Sequence, residues 1–343
     1  MNKEEHKTSD VEEILNIKDL VVDYETEDGI IHAVNGVSLT LGKERTLGLV
    51  GETGAGKTTT ALSVLNLIPN PPGVIKNGEI LLNGKDVLKM TEKELEAMRG
   101  SDVAMIFQDP MTALNPVDTV GQQIAETILL HNEGISKKEA MKRAGEMLEV
   151  VGIPASRASE YPHQFSGGMK QRVVIAIGLS CNPKLLIADE PTTALDVTIQ
   201  AQILRLMNDL KRENGTSILF ITHDLGVINQ MADYVAVMYC GQVVERVPAK
   251  MLFDPKTEYS HPYTEGLLVS IPRLDTPTNQ RLEAIPGAVP HPLDLPKGCK
   301  FAPRCKYATE KCHEAEPPMT HLTEEHHIRC YYPNKEERKQ NVK

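Results

Sequence analysis

The chain has 343 residues, of which 37 are basic and 47 acidic, so its formal net charge is −10 at pH 7. A net acidic chain is not typical of nucleic-acid-binding proteins, whose surfaces are normally basic. The longest uninterrupted apolar run, Val173 to Leu179, is far shorter than the ~20 residues that a membrane-spanning helix needs, and the charged N-terminus argues against a signal peptide. We therefore expect a cytosolic or peripheral protein, without nucleic acid as a partner.

The first predicted elements are antiparallel strands. Residues 1–13 are polar and predict a frayed tail. Apolar residues alternate from Ile14 to Tyr24 and again from Gly29 to Leu41, which is the pattern of half-buried strands. Tyr24 lies 27 residues before Gly51. It is either an ordinary strand aromatic or a residue that stacks on an adenine base.

A glycine-rich turn follows the short apolar segment Leu47–Val50 and precedes a segment of helical spacing, Thr59–Leu67. A loop of this kind lets backbone N–H groups converge on a polyphosphate at the positive end of a helix. Within it, Lys57 is predicted to contact the β- and γ-phosphates, and the Thr58 hydroxyl is of the kind that ligates Mg²⁺. The predicted nucleotide-binding residues of this loop are Gly51, Glu52, Thr53, Gly54, Ala55, Gly56, Lys57, Thr58 and Thr59.

The next hundred residues contain several local signals. A Pro/Gly break at Pro69–Gly73 precedes a predicted hairpin, Gly78–Asp86. Capping-box spacing predicts a short helix from Thr91 and an amphipathic helix from Ser136 to about Val151. A buried strand, Val103–Phe107, ends at Gln108, and the proline-bounded loop Asp109–Pro116 is predicted to have no regular structure.

Two later stretches predict chemistry. Small residues in Phe165–Met169 precede a helix, Gln171–Leu179, and either cap it or form a second anion site from Ser166, Gly167 and Gly168. The apolar strand Leu185–Ala188 ends in Asp189, predicted to hold Mg²⁺, and Glu190, predicted to polarise an attacking water.

A further helix and a further strand are predicted after the acidic strand end. A helix from Asp196 to Glu213, closed by Gly215, precedes the strand Ser217–Thr222. That strand delivers His223 to the edge of the sheet where Asp189 lies, and this is the edge at which ligands of parallel α/β sheets collect.

The composition changes near residue 250, because 13 of the chain's 22 prolines lie between Pro248 and Pro333. Cys181 and Cys240 are predicted to be ordinary buried thiols. The other four cysteines, Cys299, Cys305, Cys312 and Cys330, follow the spacing C-x5-C-x6-C-x17-C. Four thiols in a cytosolic chain favour a metal site, with an iron–sulfur cluster, zinc, free thiols and a disulfide as the alternatives.

Taken together, these motifs resemble the full set of an ABC-type ATPase. They are the loop 51–58, Gln108, the segment 165–169, the strand 185–190, the run 193–196 and His223. The resemblance implies an α/β fold with a mixed sheet core, an antiparallel β subdomain and a helical subdomain at about 109–180. It divides the chain into a tail (1–13), a nucleotide-binding domain (14–250) and an irregular Cys-containing C-terminal domain (251–343).

Finer details resemble the ATP-binding subunits of oligopeptide/dipeptide and nickel importers: the run Gln108–Pro116, the segment 165–172 with Met169 in place of a glutamine, and the cysteine-bearing tail. The resemblance implies ATP and Mg²⁺ as cofactors, Tyr24 as the adenine-stacking aromatic, and Glu190, His223 and Gln108 as catalytic residues. It implies that Thr58, Gln108 and Asp189 hold Mg²⁺ and that the four tail cysteines ligate a 4Fe-4S cluster, with His313, His321, His326 and His327 solvated rather than ligating.

The same resemblance implies the partners. One copy of each motif in the chain implies a second ATPase subunit, a paralogue, whose signature residues complete the site across an interface. Two transmembrane permease subunits and an extracytoplasmic solute-binding protein are implied as well. The expected function is therefore ATP hydrolysis that powers peptide uptake from the cytoplasmic face of the membrane, with nickel or another solute, or a soluble ATPase, as alternatives.

Overall fold

The computed structural model describes residues 12–108, 110–192, 195–271 and 284–340. The predicted polar tail therefore lies outside the described residues, apart from its last two positions. Asp109, Thr193 and Ala194 lie outside them as well. The described strands are β1 (Glu13–Thr26), β2 (Gly29–Gly42), β3 (Thr46–Val50), β4 (Gly73–Leu82), β5 (Lys85–Asp86), β6 (Val103–Ile106), β7 (Leu185–Asp189), β8 (Ser217–Thr222), β9 (Tyr234–Tyr239), β10 (Gln242–Pro248), β11 (Thr320–His321) and β12 (His327–Ile328).

The described α-helices connect and cover these strands. They are α1 (Lys57–Val64), α2 (Glu92–Met98), α3 (Pro110–Ala113), α4 (Val120–His131), α5 (Lys137–Val150), α6 (Gly167–Leu179), α7 (Val197–Asn214), α8 (Leu225–Met231), α9 (Ala249–Leu252), α10 (Pro262–Val269), α11 (Glu310–Glu314) and α12 (Lys335–Gln340). None of these helices combines the length and the apolar character needed to cross a membrane.

The strands form two sheets. The smaller is antiparallel with the order β2-β1-β4-β5, and the larger has the order β11-β12-β10-β9-β3-β8-β7-β6. In the larger sheet, β6, β7, β8, β3 and β9 are parallel to one another, whereas β10, β12 and β11 are each added in antiparallel pairing. The predicted antiparallel pair and the predicted mixed core are thus confirmed. The carboxyl ends of β3, β6, β7 and β8 meet at one edge of the sheet.

The larger sheet lies between two apolar cores, and this explains why its central strands are apolar throughout. In β7, Leu185 and Ile187 belong to the core shared with the antiparallel sheet, whereas Leu186 and Ala188 belong to the core shared with the helices. The same alternation divides β8 between the two cores. Both faces are covered, so every residue of these strands is buried.

The helices α4, α5 and α6 pack against one another and extend the second core away from the sheet. The helix α4 was not predicted, although Val120, Ile124 and Ile128 have helical spacing and Thr119 forms a capping box with Gln122. The prediction that 109–116 has no regular structure is wrong for α3. A proline is compatible with the first turn of a helix, because the N–H that it lacks would have no intrahelical partner there.

The C-terminal extension, defined here as the described residues from 251 onward, consists of short helices, two-residue strands and irregular segments, and both of its strands join the larger sheet. The strand β12 pairs with β10, placing Glu245 opposite Ile328. Tyr263, at the start of α10, is fully buried against Tyr239 and Phe301. The extension therefore packs onto the larger sheet near the end of β9, the strand that lies beside β3, which leads into the phosphate loop.

Candidate active site

The glycine-rich turn connects β3 to α1 at the edge where the parallel strands end. Gly56 has a φ of 95°, and a Cβ at this position would lie 2.4 Å from the Ala33 carbonyl oxygen. A Cβ on Gly51 would lie 2.2 Å from the Met238 carbonyl oxygen. Neither position has space for a side chain, so the loop can follow its tight path only with glycine at both. The helix α1 begins at Lys57, two residues earlier than predicted and inside the motif.

The Lys57 ammonium lies within the loop. Its Nζ donates to the carbonyl oxygens of Gly51 at 2.7 Å and Glu52 at 3.0 Å. Burial lowers the pKa of Lys57, although the carboxylates of Glu190 and Asp189 act in the opposite direction. A cation held against the loop in this way is suited to bind an anion that enters the loop.

Thr58 and Asp189, the two residues predicted to hold a metal, meet in the structure. The Thr58 Oγ1 donates to Asp189 Oδ2 at 2.7 Å, although the residues are 131 positions apart. Asp189 is only 2% exposed, and burial raises the pKa of its carboxyl group. A hydroxyl and a carboxylate are the hard oxygen ligands that Mg²⁺ prefers, so this donor set fits Mg²⁺.

The Glu190 carboxylate lies between the two other predicted catalytic side chains. Gln108 Nε2 donates to its Oε2 at 3.1 Å, and His223 Nδ1 lies 3.1 Å from its Oε1. Glu190 has a φ of 47°, a left-handed conformation that is uncommon for a residue other than glycine. The strand ends of β6, β7 and β8 thus bring Gln108, Glu190 and His223 together as predicted. Two contacts hold the carboxylate in one orientation.

A cavity of about 500 Å³ lies over the loop. It is lined by Tyr24 and Ile31 of the antiparallel sheet, by the loop residues 53–59, and by Gln108 and Glu190. The prediction that the antiparallel strands lie beside the nucleotide site is therefore confirmed. The Tyr24 ring is within the cavity wall, where an aromatic face could stack on a base.

One wall of this cavity was not predicted. Val289, Pro290, His291, Pro292 and Leu295 of the C-terminal extension also line it. These residues have no periodicity, so nothing in the local sequence connects them with a loop more than 200 residues earlier.

The segment Ser166–Gly168 occupies the N-terminus of α6, with Ser166 as the N-cap. The Ser166 hydroxyl accepts a hydrogen bond from the Met169 N–H at 3.4 Å. A Cβ on Gly167 would meet no atom within 4 Å, whereas a Cβ on Gly168 would lie 3.3 Å from the Leu195 side chain, so the turn is open at Gly167. Among the described residues, these three do not line the cavity over the phosphate loop.

The four tail cysteines converge. Cys299, Cys305, Cys312 and Cys330 all line one cavity of about 20 Å³, which we call the cysteine chamber. Burial raises the pKa of Cys305 to about 11 and that of Cys330 to about 12, so these groups stay protonated thiols unless a metal binds them. Four thiols are a donor set that fits an iron–sulfur cluster or zinc.

The cysteine chamber is nevertheless small. Its volume is close to that of one water molecule, so it would have to widen to admit a cluster. In the described part of the chain, no three His, Cys, Asp or Glu side chains lie close enough to hold a metal ion as they stand. The four thiols are thus suitable ligands for the predicted metal site, but their spacing in this structure is not that of a metal-bound set.

The prediction that four tail histidines are solvated is wrong for His326. This side chain is 2% exposed, and its Nε2 lies 2.9 Å from Glu245 Oε1. The reason is the pairing of β12 with β10, which buries Glu245 and requires a polar partner for its carboxylate. His313 and His321 are exposed as predicted.

Comparison with known protein families gives two matches. Residues 34–193 match the family model described as ABC transporter, and residues 244–312 match the model described as oligopeptide/dipeptide transporter, C-terminal region. The chain is 52% identical over 324 residues to the oligopeptide transport ATP-binding protein OppD of Bacillus subtilis, covering 94% of this chain and 89% of that protein. It is 47% identical over 323 residues to the dipeptide transport ATP-binding protein DppD of the same organism, covering 94% and 95%.

Two solved structures also resemble this chain over most of its length. The dimeric structure of MJ0796, described as a bacterial ABC transporter cassette, superposes with a TM-score of 0.63 at 27% identity, covering 68% of this chain and 98% of that one. The structure of cbiO1 from Clostridium perfringens, described as part of the ABC transporter complex cbiONQ, gives a TM-score of 0.60 at 28% identity, covering 72% and 92%.

Proposed function

This chain belongs to the ABC transporter family and to its oligopeptide/dipeptide group, and from this premise we propose that it is the ATP-hydrolysing subunit that powers uptake of di- and oligopeptides by a membrane importer. The observation that carries the proposal is the meeting of three strand ends beside the phosphate loop. Thr58 contacts Asp189, and Glu190 contacts Gln108 and His223, around one cavity.

Each of these residues has a role that its contacts support. Lys57 and the loop N–H groups bind the phosphates, and Tyr24 stacks on the base. Thr58, Asp189 and Gln108 would hold Mg²⁺, which would neutralise phosphate charge when bound. Glu190 accepts a proton from the attacking water, because Gln108 and His223 hold its carboxylate at the cavity. His223 positions this base.

A second ATPase subunit completes the site. The signature residues Ser166, Gly167 and Gly168 lie outside the cavity of their own chain, and Ser166 and Gly167 are exposed, so the turn is available to the nucleotide of a partner. The similar cassette MJ0796 is described as a dimer. We propose a paralogous partner rather than a second copy of this chain, because peptide-importer subunits of this kind are expected to work in unlike pairs.

Membrane subunits supply the transport path. A groove of about 620 Å³ runs between α4 and α5, and Leu130 at its rim is 74% exposed. An apolar groove on a helical layer suits a short helix from a permease subunit. Movement of the segment that contains α3 and follows Gln108 would pass site closure to that surface. The chain would then lie peripherally on the cytoplasmic face, with an extracytoplasmic protein delivering the solute.

For the cysteine chamber we propose a 4Fe-4S cluster, with zinc as the alternative. Support comes from the four converging thiols and from an N–H donor to sulfur, Tyr332 N to Cys330 Sγ at 3.4 Å. A metal centre would cross-link a segment that has few large apolar residues of its own. The chamber is separate from the cavity over the phosphate loop, so its role is structural or a docking surface, not hydrolytic.

The function is tested with the assembled complex. The chain is co-expressed with its neighbouring permease and ATPase genes, purified in detergent and reconstituted with the solute-binding protein. We expect co-purification and ATP hydrolysis stimulated by di- or oligopeptides. Stimulation by nickel or another solute instead would favour the second candidate function. Failure to associate with any membrane subunit would favour a soluble ATPase.

A further inference from the structure

Glu52, the second residue of the phosphate loop, is bound by a partner at each of its polar groups. Its N–H donates to the Tyr263 hydroxyl at 2.9 Å, and its carbonyl accepts from Lys57 at 3.0 Å. Its carboxylate accepts two hydrogen bonds from Arg304, Nη1 to Oε2 at 2.6 Å and Nη2 to Oε1 at 3.1 Å. The carbonyl also accepts from the Ala55 N–H at 3.2 Å, and the two partners outside the loop come from the C-terminal extension, 211 and 252 residues later in the chain.

Arg304 is itself held in place. Its side chain is 5% exposed, its Nε donates to the Pro286 carbonyl at 3.1 Å, and its Nη1 also reaches the Tyr239 hydroxyl at 3.3 Å. The Phe301 ring centroid lies 5.9 Å from the guanidinium carbon. A guanidinium fixed on several sides presents its planar fork in one direction, and that direction is Glu52.

Because Glu52 belongs to the phosphate loop, the Arg304–Glu52 pair bears on nucleotide binding as well as on stability. Glu52 is a carboxylate within a loop that must accept several phosphate charges, so an unpaired Glu52 would repel the ligand. Arg304 neutralises that charge and orients the residue whose carbonyl contacts Lys57. The Glu52 side chain is 31% exposed, so solvent screens part of its charge, but loss of Arg304 leaves that carboxylate without its paired cation in the phosphate loop.

We propose that Arg304 is a positioning residue of the ATP site, which holds the phosphate loop in its binding conformation through Glu52, with Tyr263 as a second support. The C-terminal extension is then a working part of the nucleotide site and not only an appended domain. This inference rests on the proposed nucleotide-binding role of the loop.

The test measures Mg-ADP and a non-hydrolysable Mg-ATP analogue binding to the full chain by calorimetry, with thermal unfolding in parallel. Arg304→Met is compared with Arg338→Met. Arg338 is a matched control, because it is also a buried arginine of the extension, paired with Glu265, and none of its described contacts is with the loop. We expect Arg304→Met to weaken nucleotide binding about tenfold, as for the loss of one charge-assisted hydrogen bond, and Arg304→Lys to recover part of it.

The control variant Arg338→Met should lower the unfolding temperature while changing nucleotide affinity less than about twofold.

A second comparison uses Glu52→Gln, which removes the charge that Arg304 neutralises. In that background Arg304→Met should have less than about a twofold further effect, since both changes act on one interaction. If Arg304→Met does not fold, Tyr263→Phe is measured, and a several-fold loss of affinity is expected.

Three results would overturn the proposal: equal losses of affinity in Arg304→Met and Arg338→Met, an unchanged effect of Arg304→Met in the Glu52→Gln background, or normal nucleotide binding by a folded Arg304→Met chain. These outcomes are distinct from a failure of the proposed function. A wild-type chain that binds no Mg-nucleotide would refute the function itself, whereas binding by the wild type with no effect of Arg304→Met refutes only this inference.

Discussion

The substitution Glu190→Gln tests the proposed hydrolytic base with the smallest change in shape. The carboxylate is held by Gln108 at 3.1 Å and His223 at 3.1 Å, and an amide of the same size keeps one oxygen for these contacts. The variant should therefore fold normally. An amide cannot accept a proton from water, however, so the base is lost while the geometry is kept.

The expected effect is a fall in turnover of at least ~10², which corresponds to about 2.7 kcal/mol of transition-state stabilisation, because a positioned base contributes on the order of 10²–10⁴. Nucleotide binding should persist. The Glu190 carboxylate is one of the charges acting on Lys57, so its removal also lessens the negative charge facing the phosphates. The ATP-bound assembly with the partner subunit should consequently accumulate.

Turnover is measured by phosphate release from the complete transporter, and ATP affinity by calorimetry on the same preparation. The control is Glu79→Gln, because Glu79 pairs with Lys18 at the surface of the antiparallel sheet and is remote from the cavity. The control should retain normal turnover. A Glu190→Gln transporter that hydrolyses ATP at the wild-type rate would show that the base lies elsewhere.

The remaining predictions concern the loop, the assembly and the cysteine chamber. Lys57→Ala should weaken nucleotide binding itself, since the variant loses the cation that faces the phosphates; an unchanged affinity by calorimetry would contradict that role. The isolated chain should show little ATPase activity and gain it with the partner ATPase and membrane subunits, because its signature residues lie outside its own cavity; concentration-independent activity in a verified monomer would refute this. Protein purified anaerobically should be brown, with an absorption shoulder near roughly 400 nm that is lost in a Cys305→Ser/Cys312→Ser double variant while ATP binding persists. Colourless protein with stoichiometric zinc and no iron by elemental analysis would exclude the cluster.

Much of the fold and of the site could be predicted because the relevant signals are local. The phosphate loop needs glycines at positions where a Cβ cannot fit, and Gly51 and Gly56 show that requirement directly. Strands buried on both faces are apolar throughout, so β3, β7 and β8 were recognisable. Because β7 and β8 are adjacent and parallel, residues at their carboxyl ends, Glu190 and His223, had to lie near each other.

Two helices, α3 and α4, were not predicted from the local sequence. The helix α4 begins with a capping box at Thr119, which the sequence displays. The helix α3 starts at Pro110, although prolines at both ends of the segment predict irregular structure. The signals for α4 are present in the sequence, whereas α3 is a single turn of four residues for which packing decides between helix and loop.

The sequence by itself therefore determined the phosphate loop, the acidic strand end and the apolar central strands β3, β7 and β8, since each depends on neighbouring residues. Only the tertiary structure decided that Arg304 and Tyr263 bind Glu52, that residues 289–295 line the cavity, and that His326 pairs with Glu245. These contacts join residues far apart in a proline-rich, aperiodic extension. Such a segment has no repeating pattern to indicate which face it buries, so its partners are set by how the folded surfaces pack together.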